Sequence, residues 1–359
     1  MRIGQNPAKY VKEVAKPARV TVAVLNYIPF LSGFYAQMLD VLKACLNSLY
    51  ASSDADHPFD LLVFDNASCE EVRQYLLDEH QAGRIQYLIL SEKNLGKGGA
   101  WNMILSGAPG EIIAYTDNDA LFSPGWLGRS LQILESFPKV GMVTARPFRT
   151  RPEAITSTLD WASQTSGAVL EQGQFIPWQT FLEFDLSLGQ EEVEIRQRYE
   201  DGSDYRLTYH GVTALAGASH WQFMAYKQVL AEFLPFQMDR PMGQVKQLDD
   251  RMNAAGYLRL MPTEPLVMNM SNTLRGVNAP AAAVGADAQS SPDGQTSPRP
   301  SAKGQTSPQP SPKGRTSPRP SPKGEGGKRR KKYPLLDFPP IKRILLALYD
   351  AIFRWYYDR

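Results

Sequence analysis

Between residues 19 and 147 the chain alternates short, β-branched apolar runs with stretches whose apolar residues recur at helical spacing. Residues 19–25, 60–64, 85–90, 111–115 and 140–144 read as buried strands, and residues 34–49, 70–77, 100–105 and 124–135 as helices. Such alternation predicts an α/β fold, with a mixed and mainly parallel sheet covered by helices on both faces. Ligands of these sheets bind beyond the carboxyl ends of the strands. The ends here are polar: Asn26-Tyr27 after the first strand, Asp65-Asn66 after the second, and Asp117-Asn118-Asp119 after the fourth.

The pattern loosens over residues 150–215, where Trp161, Trp178, Phe181, Tyr199, Tyr205 and Tyr209 are mixed with charges. That stretch reads as a less regular region laid over the sheet edge. Order returns with an apolar run at 221–225, a helix over 245–255, and short strands at 257–260 and 266–268. Residues 277–332 change character. Three ten-residue repeats, GQTSPRPSAK, GQTSPQPSPK and GRTSPRPSPK, run from 294 to 323 and are too poor in apolar residues to build a core. Residues 341–357 regain helical periodicity, with Lys342, Arg343 and Arg354 off the apolar stripe. At 1.5 Å per residue this segment is about 25 Å long, short for a membrane span but suited to an anionic membrane surface or to docking on the body. The expected layout is an extension at 1–18, two functional halves at 19–147 and 148–276, a disordered linker at 277–332 and a basic amphipathic helix at 333–359.

Charge sharpens this division. The chain is net +2, yet residues 291–332 hold eleven Lys and Arg against two Asp and Glu, which leaves the first 290 residues acidic. An acidic body argues against nucleic acid as the partner. No run reaches the ~20 apolar residues of a membrane span, and the polar N-terminus has no secretory pattern. The two cysteines, Cys45 and Cys69, fit a reducing compartment. The expected location is cytoplasmic, or peripheral at the cytoplasmic membrane face.

Asp117 and Asp119 carry the candidate chemistry. Two carboxylates one residue apart at a strand end can share a hard divalent cation and the diphosphate it neutralises. Alone, a D-x-D is an ordinary acidic turn; its place after a buried strand is what raises its value. Asp65 sits where a nucleoside could be held, with Ser68 as a candidate cap of the following helix. Asn94 to Asn102 form a glycine-rich turn whose backbone can approach a ligand, though its spacing is neither a P-loop nor a dinucleotide fingerprint.

These stretches, in this order, resemble the nucleotide-sugar half of family 2 glycosyltransferases with the GT-A fold. The resemblance rests on Leu25-Asn26-Tyr27, Asp65-Asn66-Ala67-Ser68, the turn from Asn94 to Asn102, and Asp117-Asn118-Asp119. It is good over residues 19–147 and weaker to about 272. It implies that Asn26, Tyr27, Asp65, Lys97, Asn102 and Asp117 contact the donor nucleotide, with Lys97 open to the plainer reading of a solvated loop lysine. Asp117 and Asp119 would hold Mn²⁺ or Mg²⁺. An acidic pair before a Gly-Tyr, here Asp249-Asp250 ahead of Gly256-Tyr257, would supply the base of an inverting transfer, either residue qualifying. His220 and Trp221 would line the acceptor pocket. Where relatives place a further metal-binding histidine, Asn269 stands. The implied partners are a nucleotide-sugar donor and a glycan or lipid-linked glycan acceptor. Two other readings compete: a nucleotidyltransferase, which would want a basic glycine-rich loop after the first strand that Asn26 to Phe30 does not provide, and a non-catalytic scaffold whose tail binds membrane.

Overall fold

The computed structural model describes residues 5–53, 55–238 and 245–274. The repeat linker and the amphipathic segment lie outside the described residues. The elements in chain order are β1 (Val20–Asn26), α1 (Met38–Ala51), β2 (Phe59–Asn66), α2 (Glu70–Gln81), β3 (Tyr87–Ser91), α3 (Gly96–Gly107), β4 (Ile112–Asp117), β5 (Ala120–Phe122) and α4 (Trp126–Ser136). There follow β6 (Val140–Val143), α5 (Thr156–Gln164), β7 (Val169–Gly173), α6 (Trp178–Ser187), α7 (Glu192–Asp201), β8 (Asp204–Tyr209), β9 (Val212–Ala216) and β10 (Gln222–Tyr226). The last are α8 (Lys227–Ala231), α9 (Lys246–Ala254), β11 (Leu258–Met261) and β12 (Val267–Asn269).

The main sheet has the order β3-β2-β1-β4-β10-β6-β11-β9-β8-β7, and β12 pairs with β5 in a separate ribbon. Strands β3, β2, β1 and β4 are mutually parallel, as are β6 and β11. Between these groups β10 runs antiparallel to both β4 and β6. Every residue of β1 is buried, because the sheet is covered on both sides. Strand alternation divides its side chains: Val20, Val22 and Val24 pack with Val41, Leu42, Cys45 and Leu46 of α1, while Ala23 and Leu25 face a second core with Trp101 and Ile104 of α3.

Three expectations are corrected. Residues 150–215 are regular: α5, α6 and α7 accompany β7, β8 and β9, which are not laid over the sheet edge but prolong it as antiparallel strands. Phe181, Trp178 and Tyr199 join a small core in which Ile176 and Ile195 meet Leu215 and Met261, while Trp161, Tyr205 and Tyr209 pack on the main core. The first helix begins at Met38, later than its apolar pattern, since a 3-10 turn at Gly33–Tyr35 precedes it. Conversely α3 starts at Gly96, four residues before the periodicity does. Glycine is a poor helix former, but a Cβ on Gly98 would lie 2.9 Å from the Gln237 carbonyl oxygen, and one on Gly99 would lie 2.7 Å from the Met238 methyl. Packing of the 236–238 segment against this turn therefore requires residues without side chains there.

Candidate active site

The parallel register places Asn26 beside Asp65, and Leu25 beside Asp117, so three strand ends share one rim of the sheet. A buried polar network joins them. The Asn26 amide nitrogen donates to Asp65 Oδ1 at 2.7 Å and to Ser68 Oγ at 2.9 Å, and its oxygen accepts from the Asn118 amide at 2.7 Å. Asp65 Oδ2 accepts the Ser68 backbone N–H at 3.1 Å. Asn26 and Asp65 are wholly buried, so their side chains tie the rim together. Ser68 does not cap α2, as its sequence suggested. The cap position is Cys69, and Ser68 Oγ instead accepts the Ile28 N–H at 2.9 Å. Tyr27 is half-buried, edge-on to Tyr35 at 6.2 Å.

Asn66 fixes the glycine-rich turn to β2. Its oxygen accepts the Leu95 N–H at 2.8 Å and its nitrogen donates to Asn94 Oδ1 at 2.9 Å. Gly96 then turns at φ 65°, a left-handed conformation that suits a residue without Cβ, and aims Lys97 inward. Lys97 is not a solvated loop lysine: it is buried, and its Nζ lies 2.6 Å from Asp117 Oδ2. The Tyr115 hydroxyl donates to the other oxygen, Asp117 Oδ1, at 2.6 Å. Asn102 has both ends of its amide engaged by the backbone of Phe236, at 2.8 and 2.6 Å. These bonds make Asn102 a brace between α3 and the segment after α8.

Asp119 differs from Asp117. Its Oδ1 is sealed from solvent and has no hydrogen-bond partner among the described residues. Burial, and then the charge of Asp117, hold its carboxyl well above the usual carboxylate range; Lys97 and a hydrogen bond from the Asn269 side chain pull the other way. The β5–β12 ribbon sets this contact, pairing Asn269 with Ala120 while Met270 N–H reaches the Asp119 carbonyl at 2.7 Å. Because Asn269 Oδ1 accepts the Ser271 N–H at 2.8 Å, the amide turns its nitrogen toward Asp119. A buried carboxylate oxygen without a donor, beside a second carboxylate, is a fitting donor set for a hard divalent cation. Among the described residues no group of three or more His, Cys, Asp or Glu side chains gathers at one point, so Asp117 and Asp119 would hold it with oxygens from a ligand or water.

One residue links this rim to a second set of groups. The Asp117 N–H donates to the Trp221 carbonyl at 2.9 Å, and His220 precedes Trp221. His220 Nδ1 lies 2.9 Å from Asp249 Oδ2 in the first turn of α9. The turn before His220 is set by Gly217 at φ 143°, where a Cβ would press on Thr150 and Met261. Asp249 is 8% exposed and Asp250 is exposed, so the two members of the acidic pair are not equivalent. Arg259 of β11 was not anticipated from the sequence. It is buried, with Nη2 3.5 Å from Asp249 Oδ1 and hydrogen bonds to the Ala154 and Ala218 carbonyls. Burial pulls its guanidinium below the ordinary value, with Asp249 and then Asp250 opposing. An arginine inside the short apolar strand Leu258–Met261 was the available signal. His220, Asp249, Asp250 and Arg259 line one open cavity of about 630 Å³ with Phe148 and Arg149.

Residues 34–182 match the model of glycosyl transferase family 2. The match covers about two fifths of the chain, which resembles that family over this segment. The matched segment runs from the turn before α1 into α6, and holds Asp65, Lys97, Asp117 and Asp119 but neither His220 nor Asp249. An uncharacterized glycosyltransferase of Nostoc sp. is 24% identical over 125 residues, which are 35% of each chain, so this chain spans about a third of that relative's length. Among solved structures, the mannosyltransferase PcManGT from Pyrobaculum calidifontis, in complex with GDP-Man and Mn²⁺, is similar at 19% identity and a TM-score of 0.43, over 73% of this chain and 59% of that one. S. aureus TarS 1–349 in complex with UDP-GlcNAc is similar at 12% identity and a TM-score of 0.41, over 69% and 57%.

Proposed function

We propose that the chain is a metal-assisted, inverting glycosyltransferase, which moves a sugar from a nucleoside-diphosphate sugar to a hydroxyl of a glycan or lipid-linked glycan. The observation that carries this is the unpartnered, buried Asp119 Oδ1 next to Asp117, at the end of a strand inside the segment that matches family 2. Bound there, Mn²⁺ or Mg²⁺ would neutralise the donor diphosphate and the charge that develops on it as the sugar departs. Lys97, already 2.6 Å from Asp117, adds a second positive charge at the same place. The half-buried Tyr27 offers a ring for the nucleoside. The cavity lined by His220 and Asp249 supports the acceptor hydroxyl on the other side of Trp221, and the proton it loses in the attack goes to a base there.

The test is calorimetric titration of the full chain with UDP-, GDP- and dTDP-sugars, with and without Mn²⁺. At least one donor should bind, more tightly with the metal, and Asp119→Ala should lose the metal-dependent part. Failure of every donor to bind the wild type with Mn²⁺ would overturn the reading.

A further inference from the structure

We infer that the proton acceptor is His220 Nε2, with Asp249 as the residue that orients the imidazole; this rests on the transferase reading above. The usual expectation for such an acidic pair is that a carboxylate takes the proton itself. The geometry around Asp249 disfavours that. Its Oδ2 is occupied by His220 Nδ1 at 2.9 Å. Its Oδ1 is buried without a hydrogen bond, and its nearest cation is Arg259 Nη2 at 3.5 Å. Asp249 touches the cavity, but its one sealed oxygen and the other's engagement with the imidazole leave it the less available of the two groups. The imidazole is the exposed member of the pair, with 27% of its side chain accessible against 12% for Asp249.

The hydrogen bond also fixes the tautomer. A carboxylate can only accept, so Nδ1 carries the proton, and in the neutral ring the lone pair lies on Nε2. Nδ1 makes the only hydrogen bond of this imidazole among the described residues, and the ring belongs to the cavity wall. The acceptor hydroxyl gives its proton to Nε2 as its oxygen bonds to the anomeric carbon, and the bond from that carbon to the diphosphate oxygen breaks with its electron pair on the leaving group. The imidazolium beside Asp249 then returns its proton to water. Arg259 holds Asp249 in place: its hydrogen bond to Ala218 anchors the guanidinium to the turn that precedes His220, and its bond to Ala154 anchors it to the turn before α5. The other charged groups facing the imidazole from the cavity walls are Arg149, Arg151, Glu153, Lys246 and Asp250.

The experiment compares wild type, His220→Ala, His220→Gln and Asp249→Asn in donor turnover, using the donor and acceptor that the wild type accepts, with donor binding measured on the same proteins. Loss of a general base lowers turnover about 100-fold or more. His220→Ala should show that loss with donor affinity kept, and added imidazole should restore part of it in proportion to the concentration of its neutral form. His220→Gln, which retains bulk and polarity, should be as impaired as the alanine variant. Asp249→Asn should lose less than His220→Ala and keep the acid limb of the pH–rate profile, whereas both histidine variants should lose that limb. Turnover of His220→Gln within about threefold of wild type would overturn the assignment, as would an acid limb that survives in His220→Ala. Donor-binding variants that imidazole fails to rescue would overturn it too. A wild type that binds no donor overturns the transferase reading, and this assignment with it.

Discussion

At the residue scale the site is organised by which carboxylate oxygens are satisfied. Asp117 has both oxygens engaged, by Lys97 and Tyr115, and Asp119 leaves one bare. The raised carboxyl of Asp119 has a stability consequence. Its folded-state value lies above its unfolded value, so the folded chain binds protons more readily; this favours folding at low pH and is lost as pH rises through the folded value. In metal-free protein, Asp119→Asn should therefore melt higher than wild type at pH 8, with the gap closing on acidification. A gap independent of pH would count against this burial. Mn²⁺ affinity should fall as pH drops, since the cation must compete with that proton. Lys97→Met should weaken donor binding and leave Asp117 accepting from Tyr115 alone, a change readable as a loss of donor affinity with little loss of secondary structure by circular dichroism.

At the element scale, the strand ends converge because turns and helices brace them. Asn102 and Asn66 perform that bracing with both ends of their amides. Asn102→Ala should cost about 1–3 kcal/mol in urea unfolding, because it strips partners from the part-buried Phe236 backbone. Trp101 is fully buried, edge-on to Tyr115, Phe223 and Phe236 at 5.1 to 5.6 Å. Trp101→Ala should cost about 3–5 kcal/mol and loosen the strand that carries Asp117. The β-strands were legible as apolar runs, since strands covered on both faces must be apolar throughout. The true start of α3 was not legible, because its first turn is built of glycines selected by contact with residues 236–238, over a hundred positions away.

At the scale of the molecule, the body and the tail call for separate tests. Among the described residues no helix is long and apolar enough to cross a membrane. If residues 333–359 form the expected basic amphipathic helix, flotation with liposomes containing anionic lipid should fall when they are deleted from the full chain, with donor binding kept. Equal flotation would remove the membrane role. The segment between β6 and α5 builds the cavity side of the site, where Phe148 and Arg149 line the cavity with His220 and Asp249, and Asp204 of β8 holds Arg149. Changes there should alter acceptor choice before donor affinity.

The sequence by itself determined the α/β character of the first half, the strand ends on which Asn26, Asp65, Asp117 and Asp119 stand, and the family resemblance that the match over 34–182 bears out. Those features are local: periodicity within a strand and polarity at its end. Only the tertiary structure decided that residues 150–215 extend the sheet, that Asn102 braces and Ser68 does not cap, and that Asp249 is buried against His220 and Arg259 while Asp250 is exposed at the cavity. Those features depend on residues far apart in the chain meeting at one edge, and the single carbonyl of Trp221 that receives Asp117 and leads to His220 is fixed by antiparallel pairing no local pattern encodes.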